Sequence, residues 1–359
     1  MKVKKLIFPA VLFVFGLASF IVNNKFDIES LPFVVAIVLF TVGLVFLIKG
    51  GDWFVDGASS IAEKFKIPEI IIGATVVSIG TTLPEVMVSS QAALIGNGAM
   101  SYGNAIGSII CNVSLIAAIT LAVKPAKADR KSMIVPIIFF FSAAALYSFT
   151  AYITKTFTRT TGIVLLCMFL VYMVVTVTTA VKGKNKASGS NENSEEKSET
   201  MPMLQAIIHL VLGAAIIAFG ATLLVDNGTI IAKKVGVPDS VIALTFVALG
   251  TSLPELVTAI TSLVKGHGSL SLGNIIGANL FNLVLVSGMA ITIRPFDVPA
   301  EKTFLNTGLN SSLVMDIPLM LLVMLILTLP AFVKGKLYRW QGILLLMIYA
   351  GFCVFQFAF

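Results

Sequence analysis

The sequence predicts an all-α polytopic membrane protein built from inverted five-helix repeats, a ten-helix core with one extra N-terminal transmembrane helix. Three observations predict it. Of the 359 residues 57% are apolar and only 12% charged, with a mean hydropathy of +0.98, whereas soluble chains carry roughly a quarter charged residues. The apolar residues form runs long enough to cross a hydrocarbon core of roughly 30 Å, which takes about 20 helical residues. Finally, GTTLPE at 80–85 returns as GTSLPE at 250–255, an offset of 170 that also relates Gly103-Asn104, Ile106-Gly107 and Asn112 to Gly273-Asn274, Ile276-Gly277 and Asn282. Between 75–112 and 245–282, fifteen of thirty-eight positions are identical without a gap.

Eleven spans are expected: 4–22, 31–49 running on toward 65, 68–95, 101–123, 132–152, 160–181, 203–232, 238–264, 270–293, 313–333 and 340–358. The opening MKVKK precedes a long apolar run without a small-residue cleavage site, so it reads as an uncleaved helix rather than a signal peptide. Each copy then starts with a long helix, because Gly50, Val55-Asp56, Ile61-Ala62, Lys64 and Pro68 match Gly220, Val225-Asp226, Ile231-Ala232, Lys234 and Pro238. Gly50-Gly51 is expected to bend the first of these helices. KGKNKASGSNENSEEKSET at 182–200 is polar and low in hydrophobicity, the signature of a disordered linker. The organisation is therefore a leader helix at 1–30, a first repeat at 31–181, a cytoplasmic linker at 182–200 and a second repeat at 201–359. Five is odd, so the second repeat enters the membrane from the opposite side, inverted about an axis in the membrane plane.

Net charge of +7 does not point to nucleic acid here, because the basic residues sit in loops and act as topology signals. With a cytoplasmic N-terminus and an external C-terminus, seventeen Lys/Arg fall inside and seven outside, Lys49 being left within a span. Cys111, Cys167 and Cys353 lie in expected spans and offer no disulfide framework.

Each copy carries a glutamate and a proline inside an apolar stretch, where a carboxylate is costly unless partnered. Pro84 and Pro254 lack an amide hydrogen, which frees carbonyls near Gly80 and Gly250. In lipid such carbonyls need a partner, and a cation suits them. Thr81 and Thr251 share a helix face with Glu85 and Glu255, and Ser78 and Ala248 lie near the break. On the next helix Asn104, Ser108 and Asn112 form one polar stripe, repeated as Asn274, Ala278 and Asn282. All these groups are hard oxygen donors of the kind that calcium takes. Two acids facing each other would repel until a cation, or a proton, occupied the space between them. Competition between protons and the transported cation is therefore expected.

A lone intramembrane proline is commonly a kink, and glycines commonly serve close helix packing. Ser78, Thr82, Ser108 and Ser252 could satisfy their own backbones. Asp56, Asp226, His209, His267 and Asp316 are given no transport role.

At GTTLPE with GN-x-I-G-S-x-x-x-N, and at GTSLPE with GN-x-I-G-A-N-x-x-N, the chain closely resembles the sodium/calcium exchanger family of the calcium/cation antiporter superfamily. The resemblance covers both repeats and leaves the leader helix and loops outside. It implies a prokaryotic-type inner-membrane antiporter, not an enzyme and without a cofactor, that exports Ca2+ against inward Na+ by alternating access. It further implies that Glu85, Glu255 and the carbonyls of Thr81 and Thr251 hold Ca2+ and share these groups with Na+. Flanking sodium positions would use Ser252, Ser108 and the Ala248 carbonyl on one side, and Thr82 with the Ser78 carbonyl on the other; Asn112 and Asn282 line the middle. Ala278 departs from the family, which often has serine there, and neutral Asn282 favours potassium independence. The rival readings are a proton-coupled Ca2+ antiporter, a passive cation channel and a membrane scaffold.

Overall fold

The computed structural model describes residues 32–125, 129–187, 201–236, 250–300, 304 and 308–358. The expected helix at 4–22, most of the linker and the start of the span 238–264 lie outside the described residues. Among those described, nine helices are long and apolar enough to cross a membrane: α1 Phe33–Phe65, α2 Glu69–Leu94, α3 Gly98–Val123, α4 Arg130–Thr154, α5 Arg159–Ala180, α6 Met203–Lys234, α8 Gly268–Ile293, α9 Ser312–Lys334 and α10 Arg339–Gln356. The shorter apolar α7, Leu253–Val264, precedes α8. Val34, Ile37, Val38, Ile48, Leu170 and Val174 are exposed on these helices, as side chains facing lipid must be. The chain is a multi-pass membrane protein, with expected boundaries met within a few residues.

The chain divides into two compact units, Met1–Phe65 with Glu195–Lys265, and Lys66–Ser194 with Gly266–Phe359. In the first, α1 and α6 pack along most of their lengths. A Cβ on Gly43 would stand 2.9 Å from the Gly220 carbonyl, and one on Gly50 would stand 3.1 Å from the Gly213 carbonyl. Ala36 packs on Ile230 and Gly57 on Ala206, so residue numbers rise along one helix as they fall along the other. The helices are antiparallel, in close backbone approach that small residues permit. The offset of 170 converts Gly43 into Gly213 and Gly50 into Gly220. The Gly43·Gly220 contact is thus exchanged for the Gly50·Gly213 contact, as a two-fold axis across antiparallel helices requires. α1 is continuous, with Gly50 against α6 and Gly51 against Val257 and Thr261 of α7.

In the second unit α8 is the most enclosed span, with 83% of its most apolar window buried against 17% for α10. Gly73 of α2 and Gly273 and Gly277 of α8 bring those two helices together. The exchange of contacts recurs here. Gly162 of α5 packs on Gly288 of α8, and Gly342 of α10 packs on Ala118 of α3. Arg159 donates to the carbonyls of Thr292 and Ile293 at 3.1 and 3.5 Å, and Arg339 donates to that of Val123 at 3.2 Å. Each arginine thereby caps the C-terminal carbonyls of the other repeat's third helix. Within the otherwise helical unit, β1 (Thr156–Phe157) and β2 (Phe296–Asp297) pair antiparallel.

Candidate functional site

Both GT-x-L-P-E motifs lie on helices, but differently. The first sits inside a helix that continues through Pro84, with its irregularity upstream in a π turn at Gly73–Val77. The second begins a helix, α7, with Ser252 at its N-cap and Pro254 in its first turn. A proline in a first turn sacrifices no internal hydrogen bond, whereas Pro84 leaves the Gly80 carbonyl without that donor. The helix break expected at both motifs is thus found at the second alone. Ala248 lies outside the described residues.

The remaining candidate residues divide between the units. Glu85, Thr81, Thr82, Ser78, Ser108, Asn112 and Asn282 belong to one, and Glu255, Thr251 and Ser252 to the other. Glu85, Glu255, Ser78, Thr82, Asn112 and Asn282 are fully buried, Thr81, Ser252 and Ser108 nearly so, and Thr251 half-buried. In their unit, α2 and α3 both pack against the part of α8 that follows Asn282. Asn112 and Asn282 each open a π turn, Asn112–Ala117 and Asn282–Ser287. Such turns break the regular hydrogen-bond ladder and recur at functional sites. Neither the oxygen nor the nitrogen of either amide has a hydrogen-bond partner among the described residues, and the same holds for the hydroxyls of Thr82 and Ser252.

Other polar groups are committed to the scaffold. The Ser78 hydroxyl lies 2.7 Å from the Gly73 carbonyl and 3.0 and 3.2 Å from the carbonyl and Oδ1 of Asn274. The Thr81 hydroxyl donates to the same Oδ1 at 3.2 Å. Asn274 of the second copy therefore ties down the first copy's motif helix. Its counterpart Asn104 stays within its own copy, donating to the Glu85 carbonyl at 3.1 Å and the Ser89 hydroxyl at 2.8 Å. Sequence reasoning placed both asparagines on a polar stripe but missed this division of labour. It also missed the π turns.

Polar contacts to carboxylates also occupy the helix ends. Lys265 bonds to Asp56 at 2.8 Å and lies 3.3 Å from Asp52, joining α7 to α1. His267, at the N-cap of α8, meets Glu69 at 2.6 Å. Asp56 is thus ion-paired, and His209 is nine-tenths buried beside Trp53.

Comparison with known proteins matches residues 35–178 and 205–358 to the family described as sodium/calcium exchanger protein. The chain is 31% identical to the sodium/calcium exchanger MaX1 of Methanosarcina acetivorans, over 88% of this chain and 96% of that one. It is 33% identical to the membrane protein MJ0091 of Methanocaldococcus jannaschii, over 86% and 94%. Solved structures of the sodium-calcium exchanger NCX_Mj soaked with Na+ and Sr2+ superpose with a TM-score of 0.71 at 30% identity, covering 89% of this chain and 98% of that one.

Proposed function

The chain belongs to the sodium/calcium exchanger family, and from that premise we propose that it exports Ca2+ in exchange for Na+ by alternating access. Membership makes it a cation antiporter and not an enzyme. In the proposed site the carboxylates of Glu85 and Glu255 and the carbonyls of Thr81 and Thr251 hold Ca2+, and Na+ shares them. Ser252, Ser108 and the Ala248 carbonyl form one flanking sodium position, Thr82 and the Ser78 carbonyl the other, with Asn112 and Asn282 between. The same reading takes the N-terminus as cytoplasmic and the C-terminus as external.

One observation carries the reading: Asn112 and Asn282 are fully buried at equivalent positions and lack protein hydrogen-bond partners among the described residues. Burying an unpaired amide costs about 1–3 kcal/mol, so a duplicated pair implies a non-protein partner. The two intramembrane glutamates supply the charge for a divalent cation. Commitment of the Ser78 and Thr81 hydroxyls to Gly73 and Asn274 supports a contribution from their carbonyls instead.

Calcium uptake into proteoliposomes under sodium, potassium, proton or no gradient tests the proposal. Uptake is expected with the sodium gradient alone, and Glu85→Gln or Glu255→Gln should lower apparent Ca2+ affinity by at least about tenfold, roughly 1.4 kcal/mol. Uptake driven only by a pH gradient would replace sodium with protons as the coupling ion. Flux that ignores trans sodium would make the protein a conductor instead.

A further inference from the structure

The buried face of α7 stays polar beyond its acid. Ser252, Glu255, Thr258 and Ser262 follow one another at intervals of three and four residues, which sets them on one side of the helix. Thr258 and Ser262 are 0% exposed, and neither hydroxyl has a hydrogen-bond partner among the described residues. Helix hydroxyls elsewhere in the chain turn back on their own backbone. Those of Thr75, Thr120, Thr150, Thr222 and Thr328 each donate to a carbonyl three or four residues earlier, at 2.6–3.1 Å, the ordinary way to satisfy a hydroxyl in a membrane helix. Among the described serines and threonines with an unpartnered hydroxyl, Thr82 alone shares this complete burial, and it already belongs to a proposed sodium position.

The stripe has a direction. At about 1.5 Å of rise per residue, Thr258 lies about 4.5 Å and Ser262 about 10.5 Å beyond Glu255 along the helix axis. Lys265 then closes α7, its ammonium 2.8 Å from Asp56 and 3.1 Å from the Asp52 carbonyl, and these side chains are 25 to 41% exposed. Oxygens about one turn apart thus lead from a fully buried acid to an exposed, charged helix end. The fold does not require them. The offset of 170 matches Thr258 with Val88, Ser262 with Ala92 and Lys265 with Ile95, so the first copy builds the same helix with apolar groups. A hydroxyl buried where the scaffold accepts an apolar side chain destabilises the protein unless something bonds it. Inside a membrane protein, water and a partly hydrated cation are the partners that can.

We propose that Thr258 and Ser262 line the route by which metal cations, Na+ and Ca2+ alike, pass between Glu255 and the end of α7 that Lys265 closes. Neutral hydroxyls suit transit rather than storage. α7 carries no carboxylate after Glu255, so a passing cation finds oxygens that replace part of its hydration shell but no counter-charge that would hold it there. The route rests on the reading of Glu255 as a transport ligand; the burial and missing partners of the two hydroxyls do not.

The test joins rate, binding and access in the full-length protein. Thr258→Val and Ser262→Ala introduce the first copy's residues, so the double variant should stay monodisperse and melt at or above the wild-type temperature. In proteoliposomes it should lower maximal sodium-driven calcium uptake by at least about tenfold, while equilibrium binding of radiolabelled Ca2+ to the purified protein stays within about twofold of wild type. Uptake at the wild-type rate, or a loss of binding as large as the loss of rate, would overturn the route. The second arm replaces Cys111, Cys167 and Cys353 with alanine and adds Thr258→Cys, Ser262→Cys or Lys265→Cys singly. A membrane-impermeant cationic methanethiosulfonate should react at 258 and 262 from the same side of the membrane as at 265. Reaction at neither position, or from the opposite side, would likewise overturn it. This arm needs no flux, so a wild type that fails to exchange sodium for calcium would sink the exchange reading while access still decides the route.

Discussion

Gly277 and Gly107 occupy equivalent positions in the two copies, yet the same substitution should act on them in opposite directions. A Cβ at Gly277 would collide with the Ser78 hydroxyl and stand 2.6 Å from Ala74 Cα and 2.7 Å from the Ala74 carbonyl oxygen. Two of these are backbone atoms of the π turn Gly73–Val77, so relief requires α2 and α8 to separate rather than a side chain to rotate. Overpacking of this kind costs about 1–3 kcal/mol. At Gly107 a Cβ would meet nothing within 4 Å, leaving only the helix-propensity gain of up to about 1 kcal/mol for Gly→Ala. The two variants should therefore differ by about 1–4 kcal/mol.

Thermal unfolding of each purified variant in detergent measures this: Gly107→Ala at or slightly above wild type, Gly277→Ala several degrees below. Calcium transport gives the second readout, because moving Ala74 and Ser78 also moves Asn274 and, through it, Thr81. Gly273→Ala, where a Cβ would collide with the Ile70 carbonyl, should follow Gly277→Ala, and Gly103→Ala should follow Gly107→Ala. If Gly107→Ala lost as much stability as Gly277→Ala, the contact geometry argued for α2 and α8 would be wrong.

Replacing Asn112 or Asn282 with leucine, which has the same branched heavy-atom skeleton, should raise the unfolding temperature in ion-free buffer by removing a buried amide worth about 1–3 kcal/mol unpaired. The same variants should lose the stabilisation that Ca2+ gives, about 2.7 kcal/mol at a free concentration of roughly 100 Kd; an unchanged calcium-induced shift would refute their part in binding. Lys265→Met should cost less than about 1 kcal/mol, since Asp52 and Asp56 are over a third exposed, and the loss should vanish in high salt, measurable by the same melts. Arg159→Ala and Arg339→Ala should each cost about 0.3–1 kcal/mol through lost capping of helix C-termini, with Arg159→Ala the larger because that side chain makes two such bonds.

Hydropathy and the internal repeat made the spans and the inverted arrangement legible, because runs of about 20 apolar residues and an odd repeat number leave few alternatives. The burial of Glu85, Glu255, Asn112 and Asn282 was legible for the same reason: polar residues in such runs must face inward. Partnerships were not. Nothing in the spacing says that Asn274 takes the Ser78 and Thr81 hydroxyls while Asn104 takes the Glu85 carbonyl, since both asparagines sit at the same repeat position. At Gly50-Gly51 the spacing suggests a bend because paired glycines do bend helices, and it says nothing of the neighbouring backbone and side chains that pack against each of them. The π turns escaped because one extra residue per turn alters no composition, and Lys265 with Asp56 because 209 residues separate them.

Under the proposed alternating access, symmetry sets a further constraint. Contacts that exchange under the duplication, such as Gly43·Gly220 with Gly50·Gly213, or Arg159 with Arg339, contribute equally to two states that are images of one another. They hold the molecule together but cannot favour opening on one side of the membrane over the other. A bias must come from groups whose counterparts differ. Lys265, bound to Asp56, corresponds to Ile95, and Thr258 and Ser262 correspond to Val88 and Ala92. Each 1.4 kcal/mol of difference between the two states shifts their ratio about tenfold. The Lys265–Asp56 pair, worth less than about 1 kcal/mol at its exposure, would shift that ratio by less than about fivefold.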